Sequence, residues 1–200
     1  MVKRVFDMIA ASVTLVALMP LLLAIVALIK VSSRGPVFYR QIRVGRSQKL
    51  FRIYKFRTMV DGAEQRGPAI TVRYDQRITR VGKFLRRFEL DELPTLLNVI
   101  KGEMSIVGPR PELPKYLPNY DDAQLRVFSV RPGMTDPATL IFRDEVKRLG
   151  LRENAETIYV ERILPEKLKL NLEYIECRSF WFDLGLIFKT FALIIPHTKE

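Results

Sequence analysis

From Val5 to Ile29 the chain is apolar at almost every position, with Asp7 its one charged residue. At about 1.5 Å per residue a helix over this run is long enough to cross a bilayer. Pro20 falls inside the run, and an interior proline kinks or breaks a helix. Basic residues also flank both ends, Lys3 and Arg4 before it and Lys30 and Arg34 after it. The positive-inside tendency then places both flanks in the cytoplasm. Together these features predict a helix, a break near Pro20 and a second helix that returns to the same face, in preference to a kinked span.

The pattern then changes period. Val37–Val44 and Leu50–Thr58 are rich in aromatic and branched residues and are joined by Gly45-Arg46-Ser47-Gln48, which predicts a β-hairpin. Residues 61–80 are polar and irregular and read as a loop able to cover a site. Val81–Phe88 follows, carrying Lys83, Arg86 and Arg87. Leu93, Leu96, Leu97 and Ile100 then recur at helical spacing, predicting a helix with that face buried. Pro94 is tolerated only in its first turn, where the missing N–H has no partner to lose. After Pro111 the prolines at 114 and 118 leave loop and short helix, and Asp121-Asp122 reads as a surface turn rather than a metal pair. Glu153–Tyr174 predicts a helix interrupted near Pro165. Phe180–Ile195 is short for a span and aromatic at its start, and predicts a helix lying at the membrane surface, with a buried core helix as the alternative. The class is α+β and mainly helical, with a re-entrant membrane helix over 1–30 and a membrane-associated cytosolic domain over 31–200.

Charge narrows the partners. There are 33 Lys and Arg against 22 Asp and Glu, a formal net charge of +11, so the partners are anionic. Lys30, Arg34, Arg40, Arg43, Arg46, Lys49, Arg52, Lys55 and Arg57 follow one another with no acidic residue between them. Directly after a membrane segment, such a hairpin suits anionic headgroups, and Lys55 with Arg57 suits a diphosphate. The same strands carry Phe38, Tyr39, Phe51, Tyr54 and Phe56, a composition that also fits base stacking. The neighbouring membrane segment and the lack of any other nucleic-acid motif argue against nucleic acid. A single cysteine, Cys177, excludes an intramolecular disulfide framework and a structural zinc cluster. The lone histidine, His197, sits in the tail and reads as inert.

The chemistry points to Asp91 and Glu92, adjacent carboxylates at the start of the predicted helix. Unpaired N–H groups and the helix dipole favour negative charge there, whether carboxylate or phosphate. An acidic first turn is commonplace as a cap. Here, however, the pair is followed by Gly108-Pro109-Arg110-Pro111, a rigid arginine-bearing turn, and preceded by Arg86 and Arg87. A carboxylate can attack phosphorus and hold an acyl-phosphate, and a neighbouring one can help bind Mg2+ against diphosphate oxygens. Arg110 with Arg86 or Arg87 would offset charge in the transition state. The turn Arg131-Pro132-Gly133-Met134-Thr135 presents Arg131 either to an anion or to a purely structural partner.

The ordered set Arg4-Val5-Phe6-Asp7, Gly35-Pro36-Val37-Phe38, Arg43-Val44-Gly45, Tyr54-Lys55-Phe56-Arg57-Thr58-Met59, Leu90-Asp91-Glu92-Leu93-Pro94, Asn98-Val99-Ile100-Lys101-Gly102-Glu103-Met104-Ser105, Gly108-Pro109-Arg110-Pro111 and Arg131-Pro132-Gly133-Met134-Thr135 resembles the bacterial sugar transferase family. Its small members are monotopic phosphoglycosyl transferases. The resemblance covers nearly the whole chain. It implies transfer of a sugar-1-phosphate from a UDP-sugar to polyprenyl phosphate with release of UMP, at the cytosolic face of the bacterial inner membrane. It also implies Asp91 as the nucleophile of a phosphosugar-aspartyl intermediate, Glu92 as its assistant through Mg2+ or proton handling, and a re-entrant membrane helix. One departure concerns the helix break, where Met19 stands before Pro20 in place of the family's frequent Ser, leaving the stabilisation of the kink unexplained. Two other functions fit the composition: a membrane-docked basic scaffold for anionic lipid or nucleic acid, and a polyprenyl diphosphate phosphatase.

Overall fold

A computed structural model describes residues 2–67, 70–71, 74–142 and 155–194. The tail histidine and parts of the 61–80 loop and of the 153–174 segment lie outside the described residues. The apolar N-terminal run forms α1 (Val2–Ala17) and α2 (Met19–Ser32), bent by 64°. The break falls at Leu18, so Pro20 lies in the first turn of α2, where it costs no hydrogen bond. Backbone bonds continue through the bend, from Leu18 N to Thr14 O and from Leu22 N to Leu18 O, both 2.9 Å. No single described helix is long and apolar enough to cross a membrane; the bent pair passes that test together, by length and composition.

The alternating segments form an antiparallel hairpin, β1 (Phe38–Val44) and β2 (Leu50–Phe56), with Phe38 opposite Phe56 and Val44 opposite Leu50. Its tip is one 3-10 turn in which Ser47 and Gln48 take left-handed backbone angles. Helix α3 (Arg80–Arg87) starts on the side chain of Thr79, whose Oγ1 accepts Gly82 N at 2.9 Å. It crosses the end of the hairpin so closely that a Cβ on Gly82 would lie 2.0 Å from Thr58 O. Residues Leu90–Thr95 form a 3-10 helix that runs into α4 (Leu96–Lys101). After α4 come β3 (Ser105–Val107) and, parallel to it, β4 (Gly133–Thr135), then α5 (Pro137–Ile141).

From Ala155 the helix is continuous to Cys177: α6 (Ala155–Ile158), a π-helical turn over Tyr159–Ile163 and α7 (Leu164–Cys177). The interruption expected near Pro165 is therefore a widened turn, which accommodates the ring and missing N–H without ending the helix. Helix α8 (Phe180–Ile194) buries Asp183 and Leu186 and leaves Trp181, Phe188 and Phe191 exposed.

The N-terminal helices share their core with the rest of the chain. Ala11 of α1 is buried with Phe51, Ile53, Leu96, Val99 and Met104, and Ile25 and Ile29 of α2 with Phe56 and Leu85. Polar ties reinforce this packing. Arg4 donates Nη1 to Val99 O at 2.6 Å and Nη2 to Ile100 O at 3.0 Å, capping the end of α4. Asp7 is buried, and its Oδ2 accepts the Ser105 hydroxyl at 2.6 Å. The one charge of the apolar run is thus part of the joint between α1 and the elements that carry the carboxylate pair.

Candidate active site

The buried face expected from leucine spacing forms only in part. Leu97 is exposed, Leu93 and Ile100 are half-buried, and Pro94, Thr95, Leu96, Asn98 and Val99 are buried. The 3-10 turns before α4 shift the phase of the helix, and the free edge of β2 requires polar partners. Asn98 supplies them: its Oδ1 accepts Tyr54 N at 3.0 Å, and its Nδ2 donates to Arg52 O at 2.8 Å and Glu103 Oε2 at 2.7 Å. Thr95 Oγ1 adds a bond to Tyr54 O at 2.9 Å. The three bonds to Arg52 and Tyr54 fix the 3-10 turn, and with it Asp91 and Glu92, against the strand that carries Lys55.

Glu92 is held by two cations. Lys55 Nζ donates to its Oε1 at 2.7 Å, and Arg110 reaches both oxygens, Nη2 on Oε1 and Nη1 on Oε2 at 3.4 Å. Burial pushes the Glu92 carboxyl up, but the charges of Arg110 and Lys55 and their hydrogen bonds outweigh it and hold it far below the usual carboxylate range. Asp91 is different. Among the described residues it makes no hydrogen bond or salt bridge. Burial raises it first, the Glu92 charge raises it further, and Lys55, Arg86 and Arg110 pull it only part of the way back. The result is one anchored carboxylate beside one open, more basic carboxylate. Glu92 lines a cavity with Arg43, Lys55, Arg110 and Met134.

The arginine turn is positioned by close backbone contact. A Cβ on Gly133 would lie 2.1 Å from Gly108 N, so the 108–111 turn and the start of β4 approach as only glycine allows. Asp136, fully buried, accepts Arg110 N on Oδ2 at 2.9 Å and caps α5 by accepting Thr139 N on Oδ1. From the other side Arg43 Nη1 donates to Pro111 O at 3.0 Å. Arg110 is therefore fixed at its backbone before its side chain meets Glu92.

A sequence model of the bacterial sugar transferase family matches residues 1–197. The chain belongs to that family. It is 36% identical, over 97% of its length, to UDP-N-acetylgalactosamine-undecaprenyl-phosphate N-acetylgalactosaminephosphotransferase of Aeromonas hydrophila, of which it spans 44%. It is 34% identical over 96% of its length to the uncharacterized sugar transferase EpsL of Bacillus subtilis, of which it spans 87%. It is 37% identical over 94% of its length to the UDP-glucose:undecaprenyl-phosphate glucose-1-phosphate transferase of Caulobacter vibrioides, of which it spans 67%. The chain thus spans less than half of the Aeromonas relative and most of the Bacillus one.

In this family member the cations singled out in the sequence divide into two groups. Lys55, Arg86 and Arg110 converge on the carboxylate pair. Arg86 is oriented by Thr58 Oγ1 at 2.8 Å and Thr71 Oγ1 at 3.0 Å, and its charge bears on Asp91. Three others are directed elsewhere. Arg57 is buried and donates Nη1 to Arg34 O at 2.7 Å and Nη2 to Ser33 O and Oγ at 2.9 Å, closing the end of α2 instead of a phosphate site. Arg87 is exposed and lies over the Phe88 ring. Arg131 donates Nε to Gly102 O at 2.8 Å, and lines a separate cavity. In each case a neighbouring orphan carbonyl or ring takes the side chain, which spacing along the sequence does not reveal. Sequence reasoning also passed over Asn98, Thr95, Asp136 and Arg43. Asn98 had one signal, a lone amide within a helical apolar run.

Proposed function

We propose that the chain transfers a sugar-1-phosphate from a UDP-sugar to a polyprenyl phosphate, undecaprenyl phosphate in bacteria, releasing UMP. The carrying observation is the contrast between open Asp91 and anchored Glu92 within reach of Lys55, Arg86 and Arg110. Asp91 Oδ attacks the phosphorus that bears the sugar, the bond from that phosphorus to the bridging oxygen breaks, and UMP departs with the electron pair. The polyprenyl phosphate oxygen then attacks the same phosphorus and the acyl-phosphate bond breaks, restoring the Asp91 carboxylate. Arg110 and Lys55 stabilise the negative charge that accumulates on the phosphoryl oxygens. Glu92 keeps both cations in place, so its first role is to position them.

Among the described residues no cluster of three or more metal-ligating side chains occurs. Two carboxylates nevertheless suit Mg2+, which binds through one or two of them and takes its remaining ligands from substrate phosphates and water. Asp91 offers the open oxygens, since those of Glu92 already accept from Lys55 and Arg110. Held by Asp91, with Glu92 beside it, such an ion would supply positive charge against the diphosphate oxygens.

The membrane reading accompanies this chemistry. The 64° bend between α1 and α2, the exposed Val5, Ile9, Val13 and Leu23 on them, and the exposed aromatic residues of α8 support a re-entrant N-terminus and an interfacial C-terminal helix. On this reading the carboxylate pair works at the cytosolic face of the inner membrane, within reach of a lipid phosphate. A screen of UMP release across UDP-sugars, with and without polyprenyl phosphate, tests the proposal. Lipid-dependent turnover with at least one sugar is expected; no UMP from any UDP-sugar contradicts it.

A further inference from the structure

A second cavity, lined by Lys3, Arg4, Arg46, Arg131, Tyr174 and Arg178, is formed by the start of α1, the hairpin tip, the turn before β4 and the joint between α7 and α8. Asp7 is its one carboxylate, and that group is buried on the Ser105 hydroxyl. Lys3 is held by Asp183 at 2.5 Å, Arg4 by two carbonyls of α4 and Arg131 by Gly102 O. Arg46 and Arg178 are exposed, and neither guanidinium has a hydrogen bond or ion pair among the described residues. Fixed cations behind and two open arginines in front make a receptor for an anion with several oxygens.

The surroundings select the kind of anion. Two apolar helices begin at this cavity, joined by the edge-on contact of Phe6 with Phe180 at 5.3 Å. Beside it α1 exposes Val5 and Ile9, and α8 exposes Trp181. A soluble anion would use the cations and leave the apolar faces bare. A phosphate that carries acyl chains uses both.

We propose that this cavity binds the headgroup phosphate of an anionic glycerophospholipid, at a site separate from the carboxylate pair. Arg46 and Arg178 grip the phosphate, Lys3 and Arg131 supply the field behind it, and the acyl chains run along α1 and α8. The bound lipid fixes the hairpin tip and the α7–α8 joint at the membrane surface. The inference rests on the membrane reading of α1 and α8, but not on the transfer chemistry.

Trp181, the single tryptophan, stands three residues from Arg178 and is 77% exposed, so its emission reports on the site. The purified full chain in a neutral detergent is titrated with short-chain phosphatidylglycerol, with short-chain phosphatidylcholine and with inorganic phosphate. A saturable shift with phosphatidylglycerol alone is expected. Replacing both open cations, Arg46→Gln with Arg178→Gln, should weaken half-saturation roughly ten- to thirty-fold. The charge-matched pair Arg52→Gln with Arg66→Gln, exposed cations outside the cavity, should change it less than about two-fold. Equal weakening by both pairs, or an equal response to phosphatidylcholine, overturns the site in favour of diffuse attraction. The same shift with inorganic phosphate overturns the lipid assignment in favour of a soluble anion. UMP release measured on the same samples separates failure of this inference from failure of the proposed reaction.

Discussion

Lys55 Nζ lies 2.7 Å from Glu92 Oε1, the same oxygen that Arg110 engages through Nη2. This three-way contact leaves the adjacent Asp91 as the carboxylate of the pair without a hydrogen bond or ion pair among the described residues. It also means that the two acids respond differently to substitution.

Asp91→Asn is nearly isosteric and should lower UMP release by at least about 1,000-fold while leaving the circular dichroism spectrum unchanged. Glu92→Gln removes the partner of two cations, and should lower turnover and melting temperature together. Initial rates and thermal melts on both variants separate a reacting group from a positioning one.

The pH dependence of stability follows from the opposite displacements of the two acids. Glu92 is depressed in the folded protein, so its contribution is present above the unfolded glutamate value of about 4.3 and is lost as pH falls through the lower folded value. Asp91 is raised, so its stabilising share is present below the unfolded aspartate value of about 3.9 and is lost as pH rises through the folded value. Near neutrality ionised Asp91 therefore strains the fold. Asp91→Asn should raise the melting temperature at pH 7 by about 2–4 °C, with the gain vanishing near pH 4. A pH series of thermal melts on the two proteins measures it.

Asn98 is fully buried and bridges α4 to the edge of β2 through two hydrogen bonds, with a third to Glu103. Asn98→Ala leaves Tyr54 N and Arg52 O without partners and should cost about 2–4 kcal/mol of stability. Denaturant titration tests this, and Leu97→Ala, at an exposed position of the same helix, serves as the control.

Gly133→Ala forces the 108–111 turn away from β4, because its new Cβ meets Gly108 N at 2.1 Å. Displacement of Arg110 should lower kcat by about 100-fold. Gly185→Ala, where nothing lies within 4 Å of the added Cβ, should leave kcat unchanged. Steady-state rates on the two variants decide the matter.

For topology, Cys177 is exposed and is the only cysteine, so it marks the catalytic domain. In Val2→Cys protein, both thiols should react with an impermeant maleimide from the same side of sealed vesicles. Labelling from opposite sides would make the bent pair a span.

Much of this was legible in the sequence because it depended on local pattern. The hairpin follows from two β-rich runs around Gly45–Gln48, and the bend follows from Pro20, although it falls at Leu18 because proline is best placed inside the first turn of the new helix. The carboxylate pair and the arginine turn were legible as motifs. The buried face of α4 was not, since hydrophobic period identifies apolar partners, and this helix packs partly through Asn98 and Thr95 against a strand edge. The fates of Arg57 and Arg131 were also hidden. Each satisfies a backbone carbonyl distant in sequence, Ser33 or Arg34 in one case and Gly102 in the other, and such carbonyls carry no signature in the residue string.

The most direct test of the central claim is intact mass of the protein after incubation with its UDP-sugar in the absence of polyprenyl phosphate. The account predicts a mass increase of one sugar phosphate, with UMP released in equal amount, and neither in Asp91→Asn. UMP that appears only when lipid phosphate is present, with no adduct at any time, would mean direct transfer and would contradict a covalent role for Asp91.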